Sequence, residues 1–169
     1  MSSCQLVLSS SALPSSPERL RTPIHASLSA LSDTLAVLWE PGYVELWALK
    51  TRLEGGRGKT MDPSRSWFGF VNGSSVRDCR QILLSSSDVM GASTTIAVLR
   101  SEREHDIMLI IELDNYETVR SSSSVELPHK NCRLVTADQQ IVCQGPAGEI
   151  LQCLSLEHEH EEFWLNSPF

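Results

Sequence analysis

The chain has 169 residues, 41% of them hydrophobic, and carries 14 Lys/Arg against 21 Asp/Glu, a formal charge of -7. This is enough for one domain with a sizeable core. No run approaches the roughly 18 to 20 continuous apolar residues of a membrane-spanning helix and no basic-then-apolar leader opens the sequence, so a membrane protein is not expected; the expected compartment is the cytosol, with the nucleus second.

The charge is unevenly spread. Residues 1–80 carry nine Lys/Arg against seven Asp/Glu, whereas residues 81–169 carry five against fourteen. An acidic second half repels phosphate backbones, which leaves the first half as the place for any nucleic-acid contact. Five cysteines (Cys4, Cys79, Cys132, Cys143, Cys153) include no CxxC pair. An odd count without that spacing argues against a disulfide framework and a zinc ribbon, and for reduced, mostly buried thiols.

In chain order, short apolar runs and period-two alternation predict strands over 5–9, 23–28, 35–39, 43–49, 79–85, 95–99, 107–113, 118–127, 132–136, 140–143 and 150–154. No window sustains helical periodicity. Glu40-Pro41-Gly42, Ala137-Asp138-Gln139 and Gly145-Pro146-Ala147-Gly148 supply turn residues between neighbouring strands, the signature of antiparallel meanders. Longer breaks at 9–21, 51–73 and 85–93 read as loops, that near 51–73 as flexible.

The unit Leu35-Ala36-Val37-Leu38-Trp39, turn, Tyr43-Val44-Glu45-Leu46-Trp47-Ala48-Leu49 has the form of a propeller blade, with inner strands apolar on both faces and Trp47-Ala48 at the place of a Trp-Asp pair. On such a strand Trp47 shares a face with Glu45 and opposes Val44 and Leu46. Three to four such units at the ~40-residue spacing of these repeats make the expected fold all-β, a partial WD40-like β-propeller forming one domain over 1–169. The same short strands also build a β-sandwich or an irregular barrel.

Motifs for chemistry are weak. Gly55-Gly56-Arg57-Gly58-Lys59-Thr60 resembles the end of a phosphate loop, but Leu53 stands where its first Gly belongs, and Asp62-Pro63 discourages the helix that must follow. Lys50, Arg52, Arg57, Lys59 and Arg65, with Trp67, Phe68 and Phe70 close behind, are the candidate partner-contact loop, able to clamp RNA or an acidic protein. Against that stand Glu54 and Asp62, which dilute the charge of what is otherwise a solvated connection. His158-Glu159-His160-Glu161-Glu162 has metal-ligand residue types without a metal-site spacing. The serine clusters 85–87 and 121–124 lack a nucleophile elbow or a His/Asp setting. No catalytic residue, cofactor or metal is expected.

Three segments together carry a resemblance: Met1-Ser2-Ser3-Cys4-Gln5-Leu6, the hairpin of Leu35–Leu38 and Val44–Trp47, and Gln140-Ile141-Val142-Cys143 running to Gly148-Glu149-Ile150. They resemble the largest subunit of the Elongator complex (the IKAP family), at the junction into and through its second N-terminal propeller; Cys4 stands where that family has an aromatic. The resemblance implies a piece of a longer, non-catalytic scaffold of the assembly that modifies wobble uridines of tRNA. Its partners would be the other Elongator subunits, with tRNA met only through the complex, and homodimerisation would lie in regions outside this chain. The family's basic tRNA-binding segment has no counterpart here. The alternative is another WD40-like interaction module, for instance in trafficking or ubiquitin ligation.

Overall fold

A computed structural model describes residues 22–29, 33–40, 42–53, 59–70, 78–86, 93–114, 118–137 and 140–154. Expectations that fall on the 5–9 strand, Cys4, Arg57, the 9–21 loop and the 158–162 cluster therefore lie outside the described residues.

Eleven strands fill the described chain: β1 (Pro23–Leu28), β2 (Thr34–Trp39), β3 (Tyr43–Leu53), β4 (Lys59–Phe70), β5 (Cys79–Ser86), β6 (Ser93–Ser101), β7 (Asp106–Asp114), β8 (Thr118–Glu126), β9 (Arg133–Ala137), β10 (Gln140–Gln144) and β11 (Ile150–Leu154). They form three antiparallel meanders, β1-β2-β3-β4, β5-β6-β7-β8 and β9-β10-β11, referred to below as the first, second and third sheets. The fold is all-β, as the alternation predicts. The first strands begin at Pro23, Cys79 and Arg133, 56 and 54 residues apart. That corrects the expected ~40-residue period: the described residues form three units at a longer spacing.

The expected loop over 51–73 is corrected in the same way. β3 runs on to Leu53, and β4 occupies most of the remainder, paired from Tyr43↔Phe70 to Leu53↔Lys59 with an irregularity beside Leu46/Trp47. β4 contains Pro63 and Gly69 and lacks clean alternation, so nothing local announces a strand; it is an outer strand, where proline is tolerated because one edge needs no ladder partner. Gly42 closes the β2–β3 turn at φ 114, a value that disfavours side chains, and its N–H reaches Trp39 O at 2.8 Å.

Inner strands are apolar on both faces because both faces are covered. Ala36, Leu38, Val44 and Leu46 of the first sheet pack on Ile82, Leu84, Ile96, Val98, Leu109 and Ile111 of the second. The second sheet's other face, with Ala97, Leu99 and Met108, meets Leu134, Ile141 and Cys143 of the third. The second sheet is thus the middle layer. By contrast β8 is exposed along almost its whole length, which is why it tolerates Ser121–Ser124. The remaining face of the first sheet holds its own cluster, Val37, Trp39, Tyr43, Trp47 and Leu49.

Candidate functional site

Side chains of each first strand reach the backbone of the next sheet's first strand. The Ile82 N–H donates to His25 Nδ1 (3.4 Å) and the Leu84 N–H to Ser27 Oγ (3.0 Å), so β1 caps the edge of β5. One layer on, Gln81 donates to Leu134 O (2.7 Å) and accepts from Leu134 N–H (2.8 Å), so β5 caps the edge of β9. A strand edge left in a packed centre would strand N–H and C=O groups, and these side chains supply the partners.

A second tie between layers centres on Asp106, which is fully buried at the start of β7. Its Oδ2 accepts from Arg80 of β5 and from the Cys132 N–H (2.8 Å), while Arg80 also donates to Cys132 O and to Ser101 Oγ (3.0 Å). Asp106 N–H donates to His129 O and its carbonyl accepts from Leu127 N–H, so the segment leading into β9 is clipped to the second sheet through both main chain and side chain. Charge-assisted bonds of this kind are stronger than neutral ones.

On the first sheet's remaining face, Glu45 is buried (0% exposed) between two indoles. Its Oε2 accepts from Trp39 Nε1 (3.1 Å) and Trp47 Nε1 (3.3 Å), and its Oε1 faces Arg65 Nη1 at 3.3 Å. Arg65 in turn lies over the Phe68 ring, 4.6 Å from its centroid, and Phe68 sits beside Tyr43.

Of the basic residues in the candidate partner-contact loop, Arg65 is the one whose side chain is described, and its charge is met by Glu45. Lys50 and Arg52 lie on β3, opposite Asp62 and Thr60, and Lys59 opens β4 opposite Leu53. The structure therefore spreads these residues along a long hairpin; Arg57 lies outside the described residues. Lys59-Thr60 begin a strand, whereas a phosphate loop requires a helix there.

Three buried thiols are held protonated. Burial pushes Cys79 up from 9.0 to about 11, opposed by the charge of Arg100, and pushes Cys143 up to about 12; Cys132 is raised first by burial and then by the Asp106 carboxylate. Cys153 is exposed. An alkylating reagent near pH 8 is accordingly expected to modify Cys153 rapidly and to spare Cys79, Cys132 and Cys143 until the protein unfolds, as peptide mass mapping would show. Because the unfolded thiols ionise near 9 and the folded ones above it, stability from this source is complete below pH 9 and falls as pH rises towards 11. Labelling of Cys79, Cys132 and Cys143 in the native protein as fast as that of Cys153 would contradict the burial.

Among the described residues no group of three or more His, Cys, Asp or Glu converges as a metal site. Sequence reasoning passed over His25, Ser27, Arg80, Gln81 and Asp106. The one local signal was their polarity beside apolar strand residues, as in Arg80-Gln81 before Ile82-Leu83-Leu84. Compared with family models, curated proteins and solved structures, the chain matches none.

Proposed function

We propose that this chain is a non-catalytic scaffold module, part of a WD40-like β-propeller of the kind in the largest Elongator subunit. The observation that supports the reading is the repeated joint between layers. Successive antiparallel meanders stack face to face, and a side chain of each first strand binds the backbone of the next, at His25–Ile82, Ser27–Leu84 and Gln81–Leu134. Blades set around a common axis bring their innermost strands together in this manner. The polar groups with the most bonds, Asp106, Arg80 and Glu45, are engaged with other protein groups, as suits a rigid platform. The resemblance of the Leu35–Trp47 hairpin and of the run from Gln140 to Ile150 to the Elongator subunit supports the finer reading, a support for other subunits in wobble-uridine modification.

The experiment is co-expression of the tagged chain with the remaining Elongator subunits from the same source. Stoichiometric recovery of those subunits through size-exclusion chromatography is the expected result. A chain that folds but elutes alone would move the assignment to another WD40-like interaction module.

A further inference from the structure

Three side chains tie a first strand to the backbone of the next sheet, and their chemistry is not the same. Gln81 offers an amide that donates to Leu134 O and accepts from its N–H, and Ser27 offers a hydroxyl to the Leu84 N–H. Neither group changes charge near neutrality. His25 instead offers Nδ1 to the Ile82 N–H at 3.4 Å. To accept there the ring must hold a lone pair on Nδ1, which requires the neutral imidazole with its proton on Nε2. Imidazole is also the side chain whose charge ordinarily changes between about pH 5 and 8.

We propose that the joint between the first and second sheets is a pH-sensitive switch. Neutral His25 ties β1 to β5; protonation of Nδ1 turns the acceptor into a donor facing a donor, so acid loosens this joint and leaves the Gln81–Leu134 tie unchanged. The bond is present above the range in which the imidazole titrates and is lost as pH falls through it. Three observations carry the proposal. His25 is only partly buried, so solvent protons reach it without unfolding. Ile82 is fully buried, so its amide, once released, has little water to turn to. Finally, no counter-charge awaits a protonated ring. The elements packed on β1 are β2 and β5. β2 carries no acid or base, and β5 brings Cys79, which burial keeps protonated, and Arg80, which is turned to Asp106. Asp78 stands exposed just before β5, and among the described residues no carboxylate forms an ion pair with His25. Ser27 lies two residues beyond His25, as Leu84 lies two beyond Ile82, so the hydroxyl still holds β5 when the imidazole lets go. The result is a loosened joint between sheets that remain stacked.

The switch follows from the stacking of the sheets and does not depend on the Elongator assignment. Its test is amide hydrogen exchange on the full chain at about pH 7.5 and pH 5.5, on either side of ordinary imidazole titration, with each rate referred to the intrinsic exchange rate at that pH. Protection of the Ile82 amide is expected to fall roughly five- to tenfold on acidification, the worth of one hydrogen bond, while that of Leu134 holds. His25→Gln supplies an acceptor that does not titrate, so Ile82 should stay protected at both pH values. His25→Phe supplies none, so protection should be low at both. These variants share His105 and His129 with the parent, and titration of those residues therefore cancels in the comparison. Protection of Ile82 that ignores pH overturns the proposal, as does an equal loss at Leu134 or an undiminished acid response in His25→Gln. Should the Gln variant fail to fold, the unaltered chain decides alone, through the ratio of Ile82 to Leu134 protection followed against the ring nitrogen shifts of His25.

Discussion

Trp47→Ala is expected to abolish soluble expression. The indole is 5% exposed within the cluster of Val37, Trp39, Tyr43 and Leu49, and its N–H is one of the donors that satisfy the buried Glu45 carboxylate. Truncating a buried Trp costs about 3 to 5 kcal/mol, a large part of a total near 5 to 15 kcal/mol. Here a second loss adds to the first, because the buried Glu45 side chain would be left with one donor fewer. Trp47→Phe retains most of the apolar volume while deleting the N–H, so it should fold with a lowered unfolding midpoint. Chemical denaturation of both variants is the measurement. By comparison, replacing the 55–58 connection by a Gly/Ser linker should shift the midpoint little, since loop length enters only logarithmically. Equal tolerance of Trp47→Ala and of that replacement would show that the β2–β3 hairpin is not a core element.

Asp106→Ala is the second large effect. It removes the acceptor shared by Arg80 and the Cys132 N–H, so the buried amide loses its partner and the guanidinium its counter-charge, while Arg80 keeps Cys132 O and Ser101 Oγ. Breaking a buried pair from one side costs about 3 to 5 kcal/mol; Arg80 is partly solvated, which places this case at the lower end. The damage should be local in a diagnostic way. The amides of Cys132 and Leu134 are expected to lose protection against hydrogen exchange, while those of Val37 and Leu46, in the first sheet, keep theirs. Asp106→Asn, which keeps an acceptor for the Cys132 N–H but not the charge for Arg80, should fall between. Uniform loss of protection across all three sheets would mean that Asp106 supports the whole stack and is not a joint between the second and third sheets.

Much of this architecture is written in the chain itself. The strands at 23–28 and 150–154 appear at their expected limits, and most others differ by one or two residues, because period-two alternation and the turn residues near Gly42 and Gly148 act over a few positions only. The face assignment within β3 was legible for the same reason: Trp47 and Glu45 share one side, and Val44 and Leu46 pack on the other. β4 was not legible. Its Pro63, Gly69 and scattered charges carry no strand signal, and it is set by pairing along β3 on both sides of the irregularity beside Leu46/Trp47. Nor could local pattern reveal that Gln81 and Asp106 are joints, since their partners Leu134 and Cys132 lie 53 and 26 residues further along. Alternation determines which residues share a face, but only the stacking of sheets decides what that face meets. Burial of a polar side chain is stable only where distant backbone comes to satisfy it, and that is a property of the assembled layers.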